Sequence, residues 1–426
     1  MKYSRFSENF DPRSGILRLM DDLGNASSDP AGTVHMLGGG NPAMIPKMEA
    51  SFRSSMLRIL DQDREFEQML GSYDAPQGNL RFINAMCELL GKEYGWHLTP
   101  DHIAVTNGSQ ASFGLLFNLF AGEYNDGSWK KILLPLIPEY IGYADAGLGS
   151  RSIFSARKPL ITEFDENGAP FFKYSVDLSN LEIDGDTGAV CISRPTNPTG
   201  NVISDDEVMQ LATLTRETDI PLIIDGAYGL PFPGMIFADA KPFWEPHIIL
   251  CLSLSKLGLP GVRTGIIIAD PDIIRLVRGS NAIFNLAPGR FGPTLVTGML
   301  EDGSLLKSCG KVIAPYYRDR SIEAVKLVRE NLEGLPYRIH YPEGAMFLWL
   351  WFQDFPSDNE TLYQKLKERG VYVISGQHFF PGLEEHWDHK MQCIRVSYAG
   401  PFHHVQQGIT IIGEEVRKLY DRTGEN

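Results

Sequence analysis

Between about residues 101 and 269, short β-branched or leucine-rich runs alternate with longer amphipathic stretches. That is the pattern of strands buried on both faces and covered by helices. The runs predict strands at 103–106, 132–135, 189–193, 221–224, 248–252 and 264–269, and the alternation implies βαβ units building a mainly parallel sheet. An apolar helix is predicted over 111–120. Ahead of this region lies an extended arm containing Gly38-Gly39-Gly40-Asn41-Pro42, then a helix near 46–60. Behind it the pattern predicts a long helical stretch over 290–335. An α+β tail follows, with strands near 337–340, 346–352, 371–374 and 393–398 and helices near 360–369 and 405–421.

A chain of 426 residues with 43% hydrophobic content can bury a sizeable core, and one large and one small domain are expected. The formal net charge of −14 disfavours nucleic acids and anionic membrane surfaces as partners, so an anionic ligand must be captured by local arginines. Residues 1–10 carry no apolar stretch of signal-peptide length and no run is long enough to span a bilayer, which predicts a cytoplasmic protein. The five cysteines are scattered, without Cys-x-x-Cys spacing, and are expected to be free thiols. His386, His389, His403 and His404 lack the companions of a tetrahedral metal site, so no metal is expected.

The candidate chemistry lies in three segments: Arg194-Pro195-Thr196-Asn197-Pro198-Thr199-Gly200, Asp225-Gly226-Ala227-Tyr228, and Ser253-Leu254-Ser255-Lys256 running on to Arg263. A lysine attacks carbonyls only if its amine can lose its proton, and Lys256 sits between serines and an apolar Leu-Gly-Leu. Ser253, Ser255 and Arg263 are the donor types that hold a phosphate. Asp225 ends an apolar run, at the strand tip where open α/β sheets place ligands. Lysine, carboxylate and phosphate donors together describe a site for pyridoxal 5'-phosphate.

On these segments the sequence resembles the fold type I pyridoxal-phosphate aminotransferases, and the resemblance runs along nearly the whole chain. Stretches such as Gly38 to Ala43, Pro138 to Gly147 and Pro342 to Trp351 are similar to a bacterial branch that exchanges nitrogen between valine and pyruvate. The resemblance implies the PLP-dependent transferase fold type I, an α/β architecture. Its large domain, with a mainly parallel central sheet flanked by helices, would span 71–310. The arm (1–70) and tail (311–426) would form a smaller α+β domain.

It also implies roles. Lys256 would form an imine with the cofactor and then move the Cα proton, with Asp225 paired to the pyridine nitrogen. Tyr228 and Asn197 would hydrogen-bond the ring's phenolic oxygen, and Tyr140 would stack on the ring, a core tyrosine being the plainer alternative. Gly108, Ser109 and Gln110 would cradle the phosphate with Ser253, Ser255 and Arg263. Ser109 is equally an ordinary helix cap, and Arg263 follows Lys256 by seven positions, one fewer than in many members. Arg395 would pair with the substrate carboxylate, with Asn197 and Gly40 beside it. Tyr73, otherwise a surface-turn residue, would reach the phosphate of a neighbouring subunit, which predicts a homodimer with active sites at the interface.

Two other classes compete. Ser253-Leu254-Ser255-Lys256 also spells Ser-x-x-Lys, with Ser357-Asp358-Asn359 downstream, the motif of serine acyl-enzymes. No Lys-Thr-Gly follows, and Ser357-Asp358 suffices as a helix cap. A non-enzymatic regulator would need a DNA-binding module that neither the short arm nor the acidic charge supplies. Within the resembling family, other transaminases and C–S or β-lyases remain open, because the bond broken at Cα depends on orientation.

Overall fold

The computed structural model describes residues 2, 3, 7, 10, 15–27, 34–149 and 151–421. The rest of the predicted arm, including 11–14 and 28–33, lies outside the described residues. Among those described, the strands form an eight-stranded sheet, a six-stranded sheet and a two-stranded pair.

The eight-stranded sheet runs Ile103–Thr106, Gly265–Ile268, Ile248–Ser253, Leu222–Asp225, Thr187–Ser193, Trp129–Leu134 and Gly122–Glu123, with Phe154–Ala156 also paired to Trp129–Leu134. Its centre is parallel, and antiparallel pairing is confined to the two ends. Every residue of Thr187–Ser193, Leu222–Asp225 and Ile248–Ser253 is buried. That is why these strands read as unbroken apolar runs. Ser193 and Asp225 are cross-strand partners, as are Asp225 and Cys251, so the polar strand tips converge on one edge. The helix Ser109–Phe120 packs across the face of this sheet.

Gly188 sits where that sheet meets the end of the helix. A Cβ there would stand 1.7 Å from the Phe120 carbonyl oxygen, a backbone atom that cannot rotate away. Gly188→Ala is therefore expected to destabilise the fold by about 1–3 kcal/mol, read as a lower urea midpoint at unchanged slope.

The six-stranded sheet runs Ile374–Ser375, Cys393–Ser397, Phe347–Phe352, Tyr337–His340, Ala169–Ser175 and Leu160–Glu166. Its last two strands come from the middle of the chain. They form a hairpin turned by Asn167 and Gly168, both at positive φ, and the hairpin docks in parallel on Tyr337–His340. The arm strand His35–Met36 pairs with Val371–Tyr372, and Ser397 N donates to the Leu37 carbonyl. The glycines 38–40 are thus laid beside the strand that carries Arg395.

The predicted helical stretch over 290–335 is broken. Phe291–Glu301 stops at Gly303, whose φ of 70° lies in the left-handed region. Ser304–Ser308 then passes through a wide turn, Cys309–Ile313, into Ala314–Asn331. The wide turn precedes Pro315, which has no N–H to donate. Cys191, Cys251, Cys309 and Cys393 are buried and Cys87 half-buried, all as free thiols. Among the described residues no helix is long and apolar enough to cross a membrane.

Candidate active site

A cavity of about 230 Å³ opens at the tips of Thr187–Ser193, Leu222–Asp225 and Ile248–Ser253. Lys256 lies on the short turn Ser255–Leu257 that follows the last of these strands. Its Nζ donates to the Gly40 carbonyl at 2.5 Å and stands 5.2 Å from the centre of the Tyr228 ring. Burial, reinforced by the cations Arg395 and Arg263 and opposed by Asp225, brings the amine down to about 8. A lysine so poised reaches its free-base form far more readily than one in water.

Asp225 accepts from the Tyr143 hydroxyl on Oδ2 at 2.6 Å and from the Ala227 N–H on Oδ1 at 2.8 Å. Burial raises its pKa, while these two hydrogen bonds and Lys256 work the other way. Tyr228 is buried edge-on against Phe347. Asn197 accepts on Oδ1 from Arg395 Nη1 at 2.6 Å, an arrangement that leaves its amide nitrogen for a ligand oxygen.

Arg395 is only 1% exposed, although its strand reads as alternating. Its Nη2 donates to the Gly38 carbonyl at 2.6 Å, and its guanidinium carbon stands 4.1 Å from the centre of the Phe347 ring and 5.2 Å from that of Phe379. Its Nε is buried with no hydrogen-bond partner among the described residues, and desolvation lowers the guanidinium to about 10. A buried cation with an unused donor suits a ligand carboxylate.

At the other end Gly108, at φ 91°, precedes the helix opened by Ser109. A Cβ on Gly108 would lie 2.3 Å from Arg263 Nη2, and one on Gly265 would lie 2.7 Å from Ser109 N. Both glycines therefore let the arginine and the helix start close on one point. The seven-residue spacing still brings Arg263 to the cavity wall, with Arg263 itself at φ 46°. Helix N–H groups, the Ser109 and Ser255 hydroxyls and a guanidinium form a donor set for a phosphate.

Two predicted phosphate residues also do other work. Ser253 Oγ accepts from Ser255 N at 3.1 Å and faces the Thr264 carbonyl at 3.4 Å, holding the lysine turn. Gln110 Nε2 donates to the Gly142 carbonyl at 2.9 Å, which fastens the loop carrying Tyr140. Tyr140 itself lines the cavity, while Tyr73 is 83% exposed and does not.

The residues that sequence reasoning missed are Tyr143, Glu139, Ser193, Phe347 and Phe379. Tyr143 follows Tyr140 at the spacing of the short turn Ile141–Tyr143, but nothing in the run distinguishes a core tyrosine from a partner of Asp225. Ile16, Leu19 and Met20, on the helix Gly15–Ser27, add an apolar wall. The Ser-x-x-Lys reading fails on geometry, because Ser253 is fully buried with its hydroxyl engaged. Asp358 in the downstream motif caps the helix Asn359–Glu368 through Thr361 N.

The family model for aminotransferase class I and II matches residues 58–409. The chain is 46% identical over 420 residues to the valine–pyruvate aminotransferase of Escherichia coli K12, covering 99% of both chains. The solved valine–pyruvate aminotransferase of Salmonella typhimurium LT2 superposes with a TM-score of 0.87 at 45% identity, covering 96% of this chain and 100% of that one. Similarity extends, at 25% identity over 81% of this chain and 80% of the other, to an aromatic-amino-acid aminotransferase of Thermococcus litoralis.

Proposed function

The chain belongs to the class I and II aminotransferases, and from that membership we propose that it transfers the amino group of L-valine to pyruvate, yielding 3-methyl-2-oxobutanoate and L-alanine, in a ping-pong cycle with pyridoxal 5'-phosphate. The reaction class rests on family membership and on one feature of the cavity, the Lys256 Nζ held on the Gly40 carbonyl in a pocket also lined by Asp225, Tyr228 and Arg395. The choice of valine rests on full-length likeness, because an apolar pocket separates side chains one methylene apart by only about 1–3 kcal/mol.

The residues fit the cofactor. The donor set of Ser109, Ser255 and Arg263 suits its phosphate, Asp225 suits a pyridine nitrogen, and the amide of Asn197 with Tyr228 suits the phenolic oxygen. When bound, the cofactor supplies the electron sink for the pair released as the substrate Cα–H bond breaks. Arg395 holds the α-carboxylate and so aims Cα at Lys256. The free Lys256 amine would take the proton from substrate Cα and pass it on as general acid within the same half-cycle, and would run that transfer in reverse, delivering a proton to Cα of the new amino acid, in the second. Asp225 keeps a negative charge where the ring nitrogen needs one, and Tyr140 excludes water from the ring's face. Gly40, whose carbonyl holds Lys256 Nζ, parks the amine between half-cycles.

We assign the assembly as a cytoplasmic homodimer. Tyr73 at 83% exposure, with Leu70, Ile283, Phe284 and Leu286 all more than 60% exposed, supports a surface covered by a second copy. The domain division follows the same resemblance, with 71–310 as the cofactor domain apart from the hairpin Leu160–Ser175, which joins the six-stranded sheet of the smaller domain formed by 1–70 and 311–426.

The test is an absorbance spectrum of the purified protein, followed by L-valine and then pyruvate. The near-visible band of the bound cofactor should shift on valine and return on pyruvate. A band that ignores valine but answers another amino acid would keep the family and discard valine. Absence of any band after adding pyridoxal 5'-phosphate would end the reading.

A further inference from the structure

Linked to Asp225 through Ser193 and Tyr143 lies a second carboxyl group that the reaction does not call on. Glu139 is completely buried. Its Oε1 accepts from Ser193 N at 2.8 Å, and its Oε2 lies against the Ser193 hydroxyl. The Ser193 hydroxyl stands 3.4 Å from the Tyr143 hydroxyl, which donates to Asp225 Oδ2 at 2.6 Å. The Glu139 backbone N–H donates to the Phe379 carbonyl, which ties the Glu139 loop to the turn that carries Phe379. Two carboxyls are thus joined by two hydroxyls in one buried network.

We propose that Glu139 is a positioning residue held in its protonated form, heading a chain of donated hydrogen bonds through Ser193 and Tyr143 that leaves Asp225 as the single charged carboxylate of the pair.

Proton counting carries the argument. The Tyr143 proton points to Asp225, so the Tyr143 oxygen can accept only if Ser193 donates to it. Ser193 has one proton. If Glu139 is ionised, Ser193 must donate back to it and the chain reverses at that point. If Glu139 carries a proton, every bond points the same way, from Glu139 to Ser193 to Tyr143 to Asp225, and such one-directional chains strengthen each member.

The surroundings separate the two acids. Asp225 accepts a further N–H from Ala227 and faces the cationic Lys256. Among the described residues, the titratable groups whose charge acts on Glu139 are Asp225, Tyr143 and Cys191; hydrogen bonds from Ser193 and from the Tyr140 backbone N–H oppose its burial, and the turn that bonds its own N–H also carries His378. None of those three groups is a cation. Burial, with Asp225 adding to it, pushes Glu139 up to about 8. Two carboxylates in one buried network cannot both be charged cheaply, and the proton belongs on the one not facing Lys256.

The role assigned to Asp225 rests on the proposed function, whereas the proton on Glu139 can be observed without the cofactor. Infrared spectra of the cofactor-free protein at neutral pH should show a protonated-carboxyl C=O band that disappears in Glu139→Gln. In the wild type it should bleach as pH rises through about 8. Spectra identical in wild type and Glu139→Gln would overturn the proposal.

Ser193→Ala keeps the acid but cuts the chain, and serves also if the first variant fails to fold. It should retain the infrared band while weakening pyridoxal 5'-phosphate binding, followed by fluorescence titration, by about tenfold. Unchanged affinity in Ser193→Ala would overturn the chain. If the band behaves as expected and valine leaves the loaded spectrum untouched, the proton placement stands and the choice of valine falls.

Discussion

Replacing Lys256 by alanine should lower kcat for valine-dependent turnover by about four orders of magnitude or more, since general acid–base catalysis and covalent attachment are lost together. No neighbour can take over, because the other cations of the cavity, Arg263 and Arg395, are guanidinium groups that do not give up a proton near neutral pH. Single-turnover absorbance with valine separates this loss of chemistry from a loss of cofactor. The bound cofactor should remain, with its valine response slowed rather than weakened. A stability control comes from the same side chain. The Lys256 amine lies near 8 when folded and 10.5 when free, so between those values the unfolded chain binds more protons and native stability rises with pH. Below 8 the buried cation is a net cost. Lys256→Met should therefore melt above wild type at pH 7, with the gap closing as the pH approaches 10.5. A gap independent of pH would show that the amine is not the group responsible.

Arg395→Ala should cost about 2–5 kcal/mol in kcat/KM for amino acids, roughly 30- to several-thousand-fold, as expected when one member of a buried charge pair is removed. The variant also strands the Asn197 Oδ1 and Gly38 carbonyl acceptors, so part of the loss is positional. A lysine at 395 would not restore activity, because one ammonium cannot serve Asn197, Gly38 and a ligand carboxylate as a planar guanidinium does. The diagnostic comparison uses an amine lacking the carboxylate. Its slow turnover should change far less in Arg395→Ala than that of valine, and an equal loss for both would assign Arg395 a purely structural role.

Local pattern carried much of this architecture. Strands at 103–106 and 337–340 coincide with Ile103–Thr106 and Tyr337–His340, and those at 248–252 and 393–398 fall within a residue of Ile248–Ser253 and Cys393–Ser397, because buried apolar runs have sharp ends. Lys256, Asp225, Tyr228 and Asn197 were visible because their motifs are contiguous. What escaped depends on partners distant in sequence. Glu139, Ser193 and Tyr143 are unremarkable until the fold brings them to Asp225. The break at Gly303 interrupts an apolar period that continues on both sides. The hairpin at Leu160–Ser175 was missed, although Asn167-Gly168 is a two-residue turn signal. Its docking partner, Tyr337–His340, could not be inferred, since parallel pairing leaves no mark on the intervening chain.

That hairpin also sets an order of events during synthesis. About 160 residues separate Ser175 from Tyr337, and at roughly 5–20 residues per second the ribosome needs on the order of 10–30 s to supply them. Throughout that interval the Ala169–Ser175 edge, with Phe171, Phe172 and Tyr174 behind it, has no strand to close against. Nascent chains of intermediate length should therefore be the species most prone to self-association and the ones that recruit chaperones.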